Sequence, residues 1–182
     1  MDKRQRVILY LLLGVFILMS ASLLIIKERN RRASETSVLV YFLNYDEQEE
    51  KSYIIPMRKE IEKAESVEEK IRFSIEHLLK GLTEEEKEKG LTNAVAENAV
   101  LLNVNVDGDT VYLDFSEGIE RGGGTAMMTE RLVQIIFTAT QFYPVTKVKL
   151  LINGKSIKYF SGEGITDVEY PMDRDTFQYS VR

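Results

Sequence analysis

The sequence predicts an α+β domain, a mainly antiparallel or mixed sheet with two principal helices on one face, preceded by one transmembrane helix. Three observations carry this reading. A twenty-residue stretch, Val7 to Ile26, has no ionisable side chain except Tyr10. Two later segments repeat apolar residues at helical intervals, and around them lie paired runs of β-branched and aromatic residues joined by turn sequences.

In chain order, residues 1–6 form a basic tail. Residues 7–26 read VILYLLLGVFILMSASLLII, and at about 1.5 Å per residue this run is long enough for a hydrocarbon layer about 30 Å thick. A helix satisfies its own backbone polar groups in lipid, and Gly14, Ser20 and Ser22 are compatible with that setting. The rival is a signal peptide cut near Ser20-Ala21-Ser22, but the apolar run continues through Leu23 to Ile26, which favours a retained anchor. Basic residues flank both ends, Lys3, Arg4 and Arg6 before and Lys27, Arg29, Arg31 and Arg32 after, so charge alone leaves the orientation open. Residues 27–36 are a polar juxtamembrane linker.

The domain is expected over residues 37–174. Ser37 to Leu43 and Ser52 to Met57 form a first strand pair, with Asn44 to Lys51 as its turn. Pro56 has no amide donor and belongs at an edge, a bulge or a strand end. Ser66-Val-Glu-Glu69 has capping-box spacing and opens a helix along Val67, Ile71, Ile75, Leu78, Leu79 and Leu82, with Gly81 as its stop. Residues 83–90 add a solvated turn of helix. Leu102, Val104 and Val106 alternate with Asn103 and Asn105, Asp107-Gly108-Asp109 turns the chain, and Val111, Leu113 and Phe115 alternate with Tyr112 and Asp114. The second helix follows Gly122-Gly123-Gly124, capped by Thr125 or Thr129, with Met128, Leu132, Ile135, Ile136 and Ala139 as its buried stripe. After Pro144 a last strand pair, 145–152 and 155–160, turns at Asn153-Gly154, which suits a type I′ turn. Residues 173–182 are expected to fray, with 175–182 as a C-terminal tail.

Composition narrows the chemistry. The chain has 182 residues, no Cys, no Trp, one His and a formal charge of -5. Disulfides, thiol nucleophiles and thiol metal sites are excluded, and the solitary His77 cannot make a multi-histidine zinc site. Both ends of the apolar run are basic, so the soluble part after it is more acidic than the whole, which argues against nucleic acid. Arg121 to Thr125 is glycine-rich before a helix but lacks the Lys-Ser/Thr of a phosphate loop. Asp114 and Glu117 are the one carboxylate pair placed for acid/base work, and nothing in the sequence makes them converge. Glu84, Glu85, Glu86 and Glu88 belong to a solvated charge run, and the polar interruption Thr138-Ala139-Thr140-Gln141 is assigned to helix-end bonding or packing. No catalytic residue, cofactor or metal is expected.

Val40-Tyr-Phe-Leu-Asn44, Tyr53-Ile-Ile-Pro-Met-Arg58, Leu78-Leu-Lys-Gly81 and Gly90-Leu91 follow one another in an order that resembles the GerMN domain of sporulation and spore-germination proteins. Leu101-Leu-Asn-Val-Asn-Val106, Val111-Tyr-Leu-Asp-Phe-Ser116, Phe137-Thr-Ala-Thr-Gln-Phe142 and Val148-Lys-Leu-Leu-Ile-Asn-Gly154 continue it. The resemblance covers about residues 37–174. It implies an extracytoplasmic structural or assembly module without an active site, its N-terminus inside the cell, acting through envelope or sporulation proteins or through self-association. Two other classes remain open. One is a module binding cell-wall glycan through Tyr41, Tyr53 or Tyr112, and the other is a wall hydrolase using Asp114 or Glu117.

Overall fold

The computed structural model describes residues 15–16, 18–26, 36–61, 64–161 and 164–182. The chain divides into an N-terminal unit and a second unit, Val38–Arg182. In the first, residues 15–16 and 18–26 are helical, and the Ser20 and Ser22 hydroxyls donate to the carbonyls of Phe16 and Leu18, each at 2.8 Å. Residues 7–14 and residue 17 of the expected span lie outside the described residues, among which no helix is long and apolar enough to cross a membrane.

The second unit is an α+β fold built on two sheets. Strands β1 (Ser37–Asp46), β2 (Lys51–Glu60) and β3 (Leu91–Thr92) form one in the order β2-β1-β3. Strands β4 (Leu101–Asp107), β5 (Thr110–Phe115), β6 (Lys147–Ile152) and β7 (Lys155–Ser156) form the other in sequence order. Its β5–β6 pair is parallel and the others antiparallel. Parallel neighbours need a long crossover, and helix α3 (Thr125–Ala139) supplies it. Helices α1 (Val67–Lys80) and α2 (Glu84–Glu88) connect β2 to β3.

Alternation decides which side of the larger sheet is buried. Val104, Val111, Leu113, Phe115, Val148, Leu150 and Ile152 turn to one face and pack in a single cluster with Ile71, Ile75 and Leu78 of α1 and Met128, Leu132, Ile135, Ile136 and Ala139 of α3. Both principal helices therefore cover this face. The expected stripes are the ones that pack.

Local signals behave as their chemistry requires. The Ser66 hydroxyl accepts from the Glu69 amide at 3.1 Å at the start of α1, and Gly81, at φ +79°, ends it. Gly108, at φ +59°, takes the first central position of the two-residue β4–β5 turn, where a II′ geometry wants glycine. Asn153 and Gly154 both have positive φ, 50° and 75°, as a type I′ turn demands.

Several expectations are corrected. The cap of α3 is neither Thr125 nor Thr129 but Gly124, which has no side chain to bond the exposed amides. Thr129 instead donates to the Thr125 carbonyl within the helix. Strand 155–160 shrinks to Lys155–Ser156, and β3, too short for any periodicity, was not expected. Glu86 is not solvated: it is 6% exposed, closes a capping box with Thr83 and pairs with Lys59 at 2.5 Å. Nor does the C-terminus fray. The Ile54 amide donates to the Ser180 carbonyl, and the Arg182 amide donates to the Ile54 carbonyl, both at 3.0 Å. Residues 180–182 thereby lie parallel along β2.

That docking explains Pro56. Both peptide groups of Ile54 point to the outer edge of β2, and peptide direction alternates along a strand, so Pro56 presents its missing N–H to the same edge, where the β1 ladder loses nothing.

Candidate functional site

The three candidate tyrosines occupy different places. Tyr41 is buried in a second, smaller cluster with Leu43, Ile54, Ala94, Val133 and Phe137, its ring tilted 56° against Phe137 at 5.7 Å. Arg174 lies over both rings, 5.5 Å from Tyr41 and 4.8 Å from Phe137. Tyr53 is 8% exposed, and its hydroxyl donates to Glu49, which raises the phenol above its ordinary pKa. The Arg182 guanidinium covers its ring at 4.1 Å and reaches Asp46 at 2.7 Å and Glu49 at 3.0 Å. Tyr112 is half-buried on the outer face of the four-stranded sheet, directly between Asn105 of β4 and Lys149 of β6. The structure brings Tyr41 and Tyr53 to the smaller sheet and leaves Tyr112 on the larger.

The two carboxylates converge on a turn. Asp114 accepts from the Gly154 amide at 2.8 Å, and Glu117 accepts from the Asn153 side chain at 3.1 Å. Together they hold the Asn153-Gly154 turn, a full structural account of both. A surface hollow beside the end of α1, lined by Lys80, Lys87, Thr92, Asn93 and Glu97, includes neither Asp114 nor Glu117 and none of the candidate tyrosines. Among the described residues no group of three or more His, Asp or Glu is placed to hold a metal ion. His77 is half-buried, and burial together with Lys80 and Lys59 lowers its pKa below the ordinary histidine value.

The most heavily bonded polar group is one that sequence reasoning largely missed. Along α3, Arg131, Gln134 and Thr138 are buried, and Gln141 follows just past its end. Gln141 bonds both peptide groups of Leu39, accepting at 2.8 Å and donating at 2.7 Å. Thr138 accepts from the Tyr41 amide at 3.2 Å. Gln134 accepts from the Ala94 amide at 2.8 Å and donates to the Tyr41 carbonyl at 3.0 Å. A side-chain ladder on α3 thus stands where the next strand beside β1 would be. Arg131 extends it, donating to the carbonyls of Ala94 at 2.8 Å, Arg121 and Gly122 at 3.1 Å each, and Ile119. Burial lowers the pKa of its guanidinium, and among the described residues it is carbonyl oxygens that receive its N–H groups. The legible signal was the spacing of 131, 134, 138 and 141, a polar stripe inside an apolar helix.

Comparison with known proteins places this architecture. The profile of the family described as Germane, sporulation and spore germination, matches residues 39–158. Among solved structures, the tandem GerMN domains of the sporulation protein GerM from Bacillus subtilis superpose with a TM-score of 0.60 and 24% identity. That match covers 82% of this chain and 48% of that one, so this chain spans about half the tandem protein. The first GerMN domain of the same protein gives 0.59 and 20%, over 76% of this chain and 98% of that one. At these identities the likeness shows the fold. Among curated proteins, no sequence matches. With two thirds of its length matched by the family profile, the chain belongs to the Germane family of sporulation and spore germination.

Proposed function

We propose that this protein is a single-pass membrane protein whose GerMN-like domain lies outside the cytoplasmic membrane and serves as a structural or assembly component in sporulation or spore germination. The observation that carries this is the position of a family domain directly behind the uncharged run 7–26. The helix at residues 18–26 supports it, because its two serines return their hydroxyls to the helix backbone and leave no polar side-chain donor for lipid to meet. A linker of about ten residues reaches at most about 35 Å, so the domain would work near the bilayer. Its action is binding, through envelope or sporulation proteins, rather than catalysis, since Asp114 and Glu117 are committed to the Asn153-Gly154 turn.

The test exploits the absence of Cys. Lys158 is exposed and outside any strand, and a membrane-impermeant maleimide should label Lys158→Cys in intact cells. Labelling only after lysis, in folded protein, would place the domain in the cytoplasm and end the reading. One observation favours a second reading. Tyr112 and Asn105 sit side by side on the outer sheet face, with Asn103 and Asp114 in the next row, a polar and aromatic surface suited to cell-wall glycan. Retention of the protein on purified peptidoglycan, lost in Tyr112→Ala, would favour it.

A further inference from the structure

A sheet edge is a row of unpaired peptide groups, and folded proteins close or guard such rows. Here the long edges are closed, with one exception. The outer edge of β2 is covered at Ile54 by residues 180–182 and blocked at Pro56. The free side of β1 is filled by β3 and by Gln134, Thr138 and Gln141. Strand β6 is flanked by β7 and, through Val148, by Met172.

The exception is β4. It is the terminal strand of its sheet, and among the described residues nothing lies hydrogen-bonded along its outer side. Of the guards expected on such an edge, charge and proline are missing as well. Residues 98–106 carry no charge and no proline, Val100 and Leu102 are 52% and 46% exposed, and the one irregularity is a bulge between Leu101 and Asn103. This neutrality is unusual in a chain that is 29% charged and carries a formal -5. A second copy would meet like charge over much of this acidic surface but not here.

Peptide direction sets a register. The two-residue turn makes Asp107 and Thr110 the closing pair, so Asn103, Asn105 and Asp107 direct their peptide groups to β5 while Val104 and Val106 direct theirs outward. We propose that β4 pairs antiparallel with β4 of a second copy of this chain, with Val104 on the two-fold axis. With Leu102 as the bulged residue, Leu101 opposite Phe115 and the Val100 carbonyl accepting from the Ser116 amide, the ladder positions from Val100 to Asp107 centre on Val104, where outward groups face outward groups. Val104 then bonds Val104 of the other copy, Leu101 faces Val106 across the bulge, and Asn103 faces Asn105 in a non-hydrogen-bonded pair. Asp107 of each copy falls opposite Val100, away from its counterpart. The proposal deepens the assembly reading by naming a second copy as partner, and it rests on that reading. If the reading holds, confinement to a membrane raises the effective concentration enough for one strand pair to matter.

Non-hydrogen-bonded partners bring Cβ atoms to about 4.5–5.5 Å, close to what a disulfide needs. Two differently tagged copies of the full chain, one Asn103→Cys and one Asn105→Cys, are co-expressed and oxidised in their own membranes. The expected result is a mixed disulfide dimer formed several-fold more than by Lys158→Cys copies. Val106→Pro removes an outward N–H that the monomer does not use, and Leu102→Lys adds an edge charge without touching the core. Each should abolish the dimer in protein that still unfolds cooperatively. A mixed yield no higher than the Lys158→Cys control, or one unchanged by both variants, overturns the proposal. If amine cross-linking of the wild-type chain in the same membranes then still links it to envelope proteins, the assembly reading survives on another face. If that also captures nothing, both fall.

Discussion

The side-chain amide of Gln134 donates to the carbonyl of Tyr41 at 3.0 Å, across a sequence separation of 93, and its oxygen accepts from the Ala94 amide at 2.8 Å. One helix residue thereby joins β1 to the segment after β3. Replacing it should expose how far the fold depends on side chains standing in for a strand. Gln134→Leu keeps the volume but strands a buried carbonyl and a buried amide, so a loss of about 2–4 kcal/mol is expected. Gln141→Leu, at a half-buried site, should cost less. Urea unfolding of the purified chain measures both, and equal losses would refute the ladder.

Gly118 shows a different constraint. A Cβ there would sit 2.3 Å from the Asn98 carbonyl oxygen and 2.9 Å from its carbon, backbone atoms that cannot swing aside. Gly118→Ala should destabilise by about 1–3 kcal/mol or more and lower the unfolding temperature by several degrees. Gly124 is open and caps α3 without a side chain, so Gly124→Ser should instead gain a few tenths of a kcal/mol, about the usual difference at this position. Thermal unfolding of the two variants should move in opposite directions.

Acid should loosen the domain through His77. Burial, Lys80 and Lys59 hold its pKa below the ordinary value in the folded state, outweighing the Glu60 backbone contact, whereas the unfolded chain titrates near about 6.5. The unfolded state therefore binds the proton first. Stability rises as pH climbs from the lowered native pKa to about 6.5 and is then level. His77→Gln should flatten that part of the stability profile, and an unchanged profile would show that other groups carry it.

The Lys59–Glu86 pair predicts a further asymmetry. Burial pushes the Glu86 carboxyl up, but Lys59 and the Thr83 amide more than offset it, and the net pKa is lowered. Its contribution is present above the unfolded value and lost as pH falls through the folded one. Glu86→Gln preserves an acceptor for the Thr83 amide but leaves Lys59, whose side chain is 15% exposed, without its counter-charge. A loss of about 3 kcal/mol is expected, while Lys59→Met with Glu86→Leu should recover most of it. A double variant as unstable as the single one would contradict this.

Short-range chemistry was legible from residues alone. The α1 stripe, its Ser66 cap, the Gly108 and Asn153-Gly154 turns and the alternation of β5 each depend on neighbours within a few positions, and each is where that chemistry puts it. In β4 the alternation holds at Val104 and Val106, but a bulge exposes Leu102 and turns Leu101 to the core in its place. The order of motifs likewise pointed to the family. Long-range pairing decided the rest. Nothing near β5 in the chain says that its parallel neighbour is β6, across a whole helix. Nothing near Glu86 says that Lys59 will bury it, and nothing at Arg182 says that Tyr53 lies beneath it. Sequence patterning determines which face of an element is apolar, because that is a matter of local period. Which backbone groups a buried polar side chain must satisfy depends on segments tens of residues away, and tertiary structure alone brought them within hydrogen-bond reach.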